Sequence, residues 1–185
     1  MKICIDPGHG GDQPGAAYGG RREKDAALQI ARKLARKLKE IGYEVIMTRD
    51  DDASVSLRKR CDISNAGGAD AFISVHLNAS RSPEAHGAET WQWDNSESTL
   101  ALNVQSELVE ATGARDRGVK STRTYYVLRH THAVAIVVEC GFISNDAERS
   151  KLFEGAYQEK IASGIANGIL RTCNDGKAGN RDRDL

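Results

Sequence analysis

The sequence predicts an α/β protein, a three-layer αβα fold with a mostly parallel central sheet of about six strands. Three observations predict it. Strand-like and helix-like apolar periods alternate along most of the chain. Two segments, "AFISV" (Ala71 to Val75) and "AVAIVV" (Ala133 to Val138), are apolar on both faces, as strands are when helices cover both sides of their sheet. The helical segments carry apolar residues three and four apart, the spacing of a buried helix face.

Taken in order, "KICI" (Lys2 to Ile5) is a first strand, followed by a glycine-rich turn. Leu28, Ala31, Leu34, Leu38 and Ile41 then mark a helix, and Gly42 stops it as a C-cap does. Its basic cluster, Arg32, Lys33, Arg36, Lys37 and Lys39, lies mostly off that face and reads as solvated surface. "YEVIMT" (Tyr43 to Thr48) is the second strand, "VSLRKRCDISNAGG" (Val55 to Gly68) a helix closed by glycines, and "AFISV" the third strand. "HGAETWQW" (His86 to Trp93) is extended, "TLALNVQSELVEAT" (Thr99 to Thr112) helical, and "TYYVLR" (Thr124 to Arg129) a short strand. After "AVAIVV", Tyr157, Ile161, Ile165 and Ile169 mark a last helix. The expected division is a single domain over residues 1–173, with "NDGKAGNRDRDL" (residues 174–185) as a polar tail or the start of a linker.

Composition narrows the function classes. The 185 residues hold 26 basic and 26 acidic side chains, so no cationic excess favours nucleic acid. No segment is long and apolar enough to span a bilayer, and the first residues leave no room for a signal peptide's apolar stretch. Synthesis in the cytosol and a monomeric state are expected. The four cysteines are scattered without CxxC spacing and read as free thiols.

Three core strands run into residues capable of chemistry: "ICIDPGH" delivers His9, "FISVH" delivers His76 and "AIVVE" delivers Glu139. Ligands of open α/β sheets bind beyond the carboxyl ends of the strands, so these three converge on one crevice. Glu23, in the loop leaving the His9 turn, is a fourth candidate. Two histidines and a carboxylate form the ligand set of a catalytic zinc site, with the remaining position left to water, and His9, Glu23 and His76 supply that set. Zn2+ polarises a carbonyl and lowers the pKa of water towards about 7. A further carboxylate must then move the proton, and Glu139, at the end of the most buried strand, fits with a pKa raised by burial. Asp6 is placed to fix a histidine tautomer. Singly, each has a plainer reading: a structural histidine, a carboxylate complementing a helix N-terminus, an ion-pair partner. Three independent strand ends carrying such residues favour the joint reading. His86, His130 and His132 follow no such pattern and read as loop residues, with His132 the one expected to line the cleft.

"DPGHGGDQPGA" with Glu23, Thr48-Arg49, "SLRKRCDISNAGGADAFISVHLNAS", "GAETW" and "VVECGFISN", in that order, resemble the zinc-dependent N-acetylmuramoyl-L-alanine amidases of the type 3 catalytic domain. The resemblance runs to about Arg171. It implies that His9, Glu23 and His76 bind zinc, that Glu139 is the catalytic glutamate, and that the substrate is peptidoglycan. The bond cleaved would join the lactyl group of N-acetylmuramic acid to L-alanine of the stem peptide. Two departures stand out. "THAV" lacks the proline many relatives have before the strand, which would bring His132 to the cleft edge. The "DNSES" link (Asp94 to Ser98) replaces the inhibitory helix of some cell-division relatives, which implies an open site needing no activator. A phage lysin, a mother-cell lysis enzyme and a trimmed secreted domain all fit. A zinc peptidase or deacetylase acting on another amide is the enzyme alternative, and a wall-binding module with a relic metal site the non-enzyme one. Trp91 and Trp93 read as packing residues, with sugar stacking as the other use.

Overall fold

The computed structural model describes residues 1–94 and 98–181, with side chains through 175. The first strand, β1 (Lys2–Pro7), buries Ile3, Cys4 and Ile5 completely. It pairs in parallel with β4 (Glu44–Met47) on one edge and β5 (Ala71–Asn78) on the other. β5 pairs in parallel with β8 (Val134–Phe142), which meets β6 (Ala88–Trp93) antiparallel, and β6 runs parallel to β7 (Asp116–Thr122). The resulting six-stranded order is β4-β1-β5-β8-β6-β7, parallel except at the β8/β6 junction. A small ribbon, β2 (Ala17–Tyr18) with β3 (Arg21–Arg22), lies between β1 and the first helix.

Alternation along the strands divides the core into two layers, because successive side chains leave a strand on opposite faces. Ile3, Ile5, Ile73, Val75, Ile136 and Val138 meet the apolar faces of α1 (Glu23–Glu40), α3 (Thr99–Thr112) and α6 (Gly155–Arg181). Cys4, Phe72 and Val137 point the other way, onto Cys61 of α2 (Leu57–Ala66) and Val127 and Leu128 of α4 (Tyr126–His130). The last short helix, α5 (Asp146–Leu152), is capped by the Asn145 side chain, which accepts from the Glu148 N–H, and follows β8 directly. On α1 the buried face is Ala27, Ile30, Ala31, Leu34 and Leu38, while Ile41, beyond the helix end, is exposed. Lys33, Arg36 and Lys37 of the basic cluster converge on Glu159 of α6.

Helices α3 and α6 touch backbone to backbone. A Cβ on Gly164 would lie 2.7 Å from the Glu107 carbonyl oxygen, and one on Gly168 only 2.4 Å from Val104 Cα. Glycines four apart thus form the strip along which α6 seats.

Two sequence expectations change. "TYYVLR" is no strand; its second half is the helical turn α4. β5 and β6 already occupy both edges of β8, so no ladder position is left beside it, and Val127 and Leu128 are buried on the sheet face instead. The strand of this region is the preceding β7, whose polar, partly exposed residues suit a sheet edge. Within "DNSES", residues 95–97 lie outside the described residues. Helix α6 continues to Arg181, through part of the segment expected as a tail. Among the described residues, no helix is long and apolar enough to cross a membrane.

Candidate metal centre and active site

His9 follows β1 by two residues, because the chain leaves the sheet through Pro7 and Gly8. Gly8 is required by closeness: a Cβ there would lie 2.4 Å from Cε1 of the His76 ring. His76 sits near the end of β5 and pairs across the ladder with Glu139 of β8. Glu23 opens α1, which runs back antiparallel to β1 and β5, so its first residue lies at the carboxyl end of those strands, between the two imidazoles. Its Oε1 lies 2.8 Å from His76 Nδ1 and its Oε2 lies 3.1 Å from His9 Nε2. The backbone N–H groups of Leu77 and Ala16 donate to the same two oxygens at 3.1 and 2.9 Å.

The three groups form an ionic knot. Burial works against ionising Glu23, which is 4% exposed, but hydrogen bonds from His76 and His9 and their charges outweigh it and hold the carboxyl far below its usual range. Burial likewise works against charging His76; the hydrogen bond to Glu23 and the nearby charges of Glu139, Glu23 and Asp6 prevail and raise its pKa. One donor atom from each of His9, Glu23 and His76 lies within 4.8 Å of the others. Two nitrogens and one carboxylate oxygen gathered so closely match the donor set of zinc in both chemistry and number.

Glu139 stands beside this knot and is 9% exposed. Burial pushes its carboxyl up, His76 pulls it down, and Glu23 and Glu89 push it up again, to about 7. Its Oε2 has no hydrogen-bond partner among the described residues. A cleft of about 410 Å³ opens over His9, Glu23, His76 and Glu139, walled by Leu57, Asn78, Tyr125 and Tyr126. A carboxyl of this kind, facing a cleft and half protonated near neutrality, has the properties of a general base and acid.

The four site residues chosen from sequence therefore come together. Asp6 does not behave as expected: Oδ1 accepts from Thr48 and Arg60 and Oδ2 from Ser74, and no histidine is among its hydrogen-bond partners in the described residues. Its place at the end of a buried strand made it resemble a histidine partner, but Arg60 reaches it first. His132 is exposed and away from the cleft, its N–H donating to Asn65 Oδ1. Thr131 to Ala133 carry the chain below α4 to the start of β8, the sheet end opposite Glu139, so the residue that lines the cleft there is Tyr126. Trp91 and Trp93 pack against the Phe72 layer; Trp91 also lies 5.5 Å from the Tyr125 ring and donates to Glu89.

Sequence reasoning missed Glu89. It is buried opposite Glu139 on β6, accepting from Asn78 and Trp91 on Oε1 and from Arg117 and Lys120 on Oε2. Burial disfavours its charge, yet Lys120 and Arg117 keep its pKa below the usual range. The available signal was a lone acid inside an otherwise buried strand.

Comparison with known proteins places this geometry. Residues 3–171 match the family described as N-acetylmuramoyl-L-alanine amidase. The amidase LytC of Bacillus subtilis (strain 168) is 37% identical over 173 residues, covering 91% of this chain and 34% of LytC. The sporulation-specific N-acetylmuramoyl-L-alanine amidase of the same organism is 36% identical over 179 residues, covering 94% of this chain and 69% of that one. The crystal structure of an N-acetylmuramoyl-L-alanine amidase from Clostridium difficile 630 superposes with a TM-score of 0.89 at 38% identity, covering 94% and 96% of the two chains. A match that begins in β1, ends in α6 and takes in every strand and helix leading to the cleft makes this chain a member of the N-acetylmuramoyl-L-alanine amidase family.

Proposed function

We propose that the protein is a zinc-dependent peptidoglycan hydrolase that cleaves the amide between the lactyl group of N-acetylmuramic acid and L-alanine of the stem peptide. The observation that carries this reading is the placement of Glu139: a buried carboxyl, with one oxygen unpartnered among the described residues, that lines the same cleft as His9, Glu23 and His76 and sits beside His76 in the ladder. Family membership supplies the substrate class.

His9, Glu23 and His76 would hold the zinc, which when bound supplies a Lewis acid for the scissile carbonyl and acidifies water. Glu139 takes a proton from the attacking water and returns it to the amide nitrogen as the C–N bond breaks. The products are a free lactyl carboxylate and a free L-alanine amino group. A pKa of about 7 suits both halves of that transfer, because the group must accept and release the same proton. Glu89, locked by Arg117 and Lys120, stays ionised beside it and helps keep that pKa high.

Residues 1–173 are proposed as the catalytic unit, supported by Cys173 being, among the described side chains, the last that packs against the core; residues 174–185, the first of which continue α6, are proposed as the polar tail or start of a linker. The cell wall is the proposed place of action, as a phage lysin, a mother-cell lysis enzyme or a domain of a secreted protein, with the chain acting as a monomer.

The test is incubation of purified peptidoglycan with zinc-loaded and chelator-treated protein, scoring new L-alanine amino termini and new reducing sugar ends. Zinc-dependent termini without reducing ends are expected. Neither product, from protein that holds one zinc, would point to a peptidase or deacetylase, or to a wall-binding role. Glu139→Ala should keep zinc and lose turnover by about 10²–10⁴-fold.

A further inference from the structure

His9 has φ 56°, in the left-handed region that disfavours every residue with a Cβ. Backbone of this kind persists only where its surroundings over-determine it. Around His9 those surroundings are two buried guanidiniums. Arg60 Nη2 donates to the His9 carbonyl at 2.6 Å, while its Nη1 donates to the Pro7 carbonyl at 2.7 Å and to Asp6 Oδ1 at 2.6 Å. Arg49 Nε donates to the Pro7 carbonyl at 3.0 Å, and its Nη2 to the carbonyls of Gly8 at 2.7 Å and Lys24 at 3.1 Å. Three successive carbonyls, Pro7 to His9, therefore end on guanidinium, and Arg49 ties that run to the residue directly after Glu23.

We infer that Arg49 and Arg60 are positioning residues for the metal centre: together they fix His9 relative to Glu23 before any cation arrives. The inference rests on the zinc reading proposed above. A buried ion pair alone does not explain the arrangement. Asp6 with Arg60 completes such a pair, whereas the hydrogen bonds of Arg49 go to the carbonyls of Pro7, Gly8, Lys24 and Asp51. Placing a second buried guanidinium beside the first is costly, and both burial and Arg60 depress the Arg49 pKa. What Arg49 adds is geometry. A planar fork with five donors spans several carbonyls at fixed angles; a lysine ammonium offers three donors from one point. Lys24 reinforces the turn from the other side, its ammonium bridging the Gly11 carbonyl and Asp52 at 2.7 Å each.

Arg49→Lys and Arg60→Lys keep the charge and remove the fork. In the 185-residue protein, folding is followed by circular dichroism and thermal unfolding in chelator. Zinc affinity is then measured at 25 °C by competition with a chromophoric chelator, and the visible spectrum of the Co2+-loaded protein reports ligand geometry. Residues that orient metal ligands typically contribute 10–100-fold to affinity. Each folded variant should bind zinc at least 10-fold more weakly and show an altered Co2+ spectrum, while Lys33→Ala, at the far side of α1, should match wild type in both. Variants that only unfold earlier, with undiminished zinc affinity and an unchanged spectrum, overturn the inference. Should Arg60→Lys fail to fold for loss of its pair with Asp6, Arg49→Lys, which leaves that pair intact, decides the question alone. Wild-type protein that binds no zinc would instead overturn the metal reading itself, a result distinct from either.

Discussion

Glutamine at position 139 removes an ionisable carboxyl while keeping its shape, so the pH dependence of the change isolates what the charge costs. In the folded protein burial raises Glu139 to about 7 from an ordinary 4.5. Below pH 4.5 both folded and unfolded chains carry the proton, and the charge costs nothing. As pH rises above 4.5 the unfolded chain releases its proton while the folded chain holds it, so wild type loses stability relative to the variant until about pH 7, where the penalty levels off. The difference between 4.5 and about 7 corresponds to about 3 kcal/mol. For a chain of this size that is a difference of roughly 6–12 °C in Tm. The assay is thermal unfolding of chelator-treated wild type and Glu139→Gln at pH 4 and pH 8. Any fixed difference between the amide and the acid cancels between the two pH values. The variant should gain at pH 8 relative to pH 4; an advantage equal at both would show that Glu139 ionises freely and would remove the basis for its role in proton transfer.

Zinc affinity should fall as pH drops through the region above 6.5, since Glu23 raises the His76 pKa and a proton there competes with the cation; chelator competition between pH 8 and 5.5 reads this, and a flat profile contradicts the ligand assignment. Gly8→Ala should fold but lose bound zinc, because the new Cβ would enter the His76 ring's space; metal content after dialysis decides, and full occupancy would mean His76 shifts without cost. Gly168→Ala should leave the site chemically intact and lower stability by about 1–3 kcal/mol through overpacking against Val104, measured by urea unfolding, where an unchanged midpoint would argue against the tight α3–α6 seat.

How much could be seen in the sequence follows from which contacts are local. His9, His76 and Glu139 were legible because a parallel sheet sends its strand ends to one rim, so apolar runs that end in chemical groups predict their meeting. Glu23 was legible from its place in the loop leaving the His9 turn, just before the first helix; in the structure it is the first residue of α1. Arg49, Arg60 and Glu89 carry no such signal. Arg60 lies on a helix whose hydrophobic pattern is weak, and its inward face emerges only when α2 is set against β1. Asp6 was misjudged for the same reason, since its real partner is 54 positions away. The aromatic and branched residues of "TYYVLR" favour strand locally, but both sides of the adjoining strand β8 were already paired. β7 was missed because an edge strand need not be apolar.

The reversal at β6 shapes how this cleft can vary. On the β4-β1-β5-β8 side the rim is made of strand exits, each leading into a loop whose length is free to change without disturbing the sheet. Across the reversal the rim is made of a strand entrance, Ala88 and Glu89, already committed to the ladders with β7 and β8 respectively. New substrate contacts in descendants of this chain are therefore expected from the turn after β1, the segment before α2 and the Thr124–Tyr126 stretch, while the β6 flank stays a fixed wall against which each of those redesigns must be fitted.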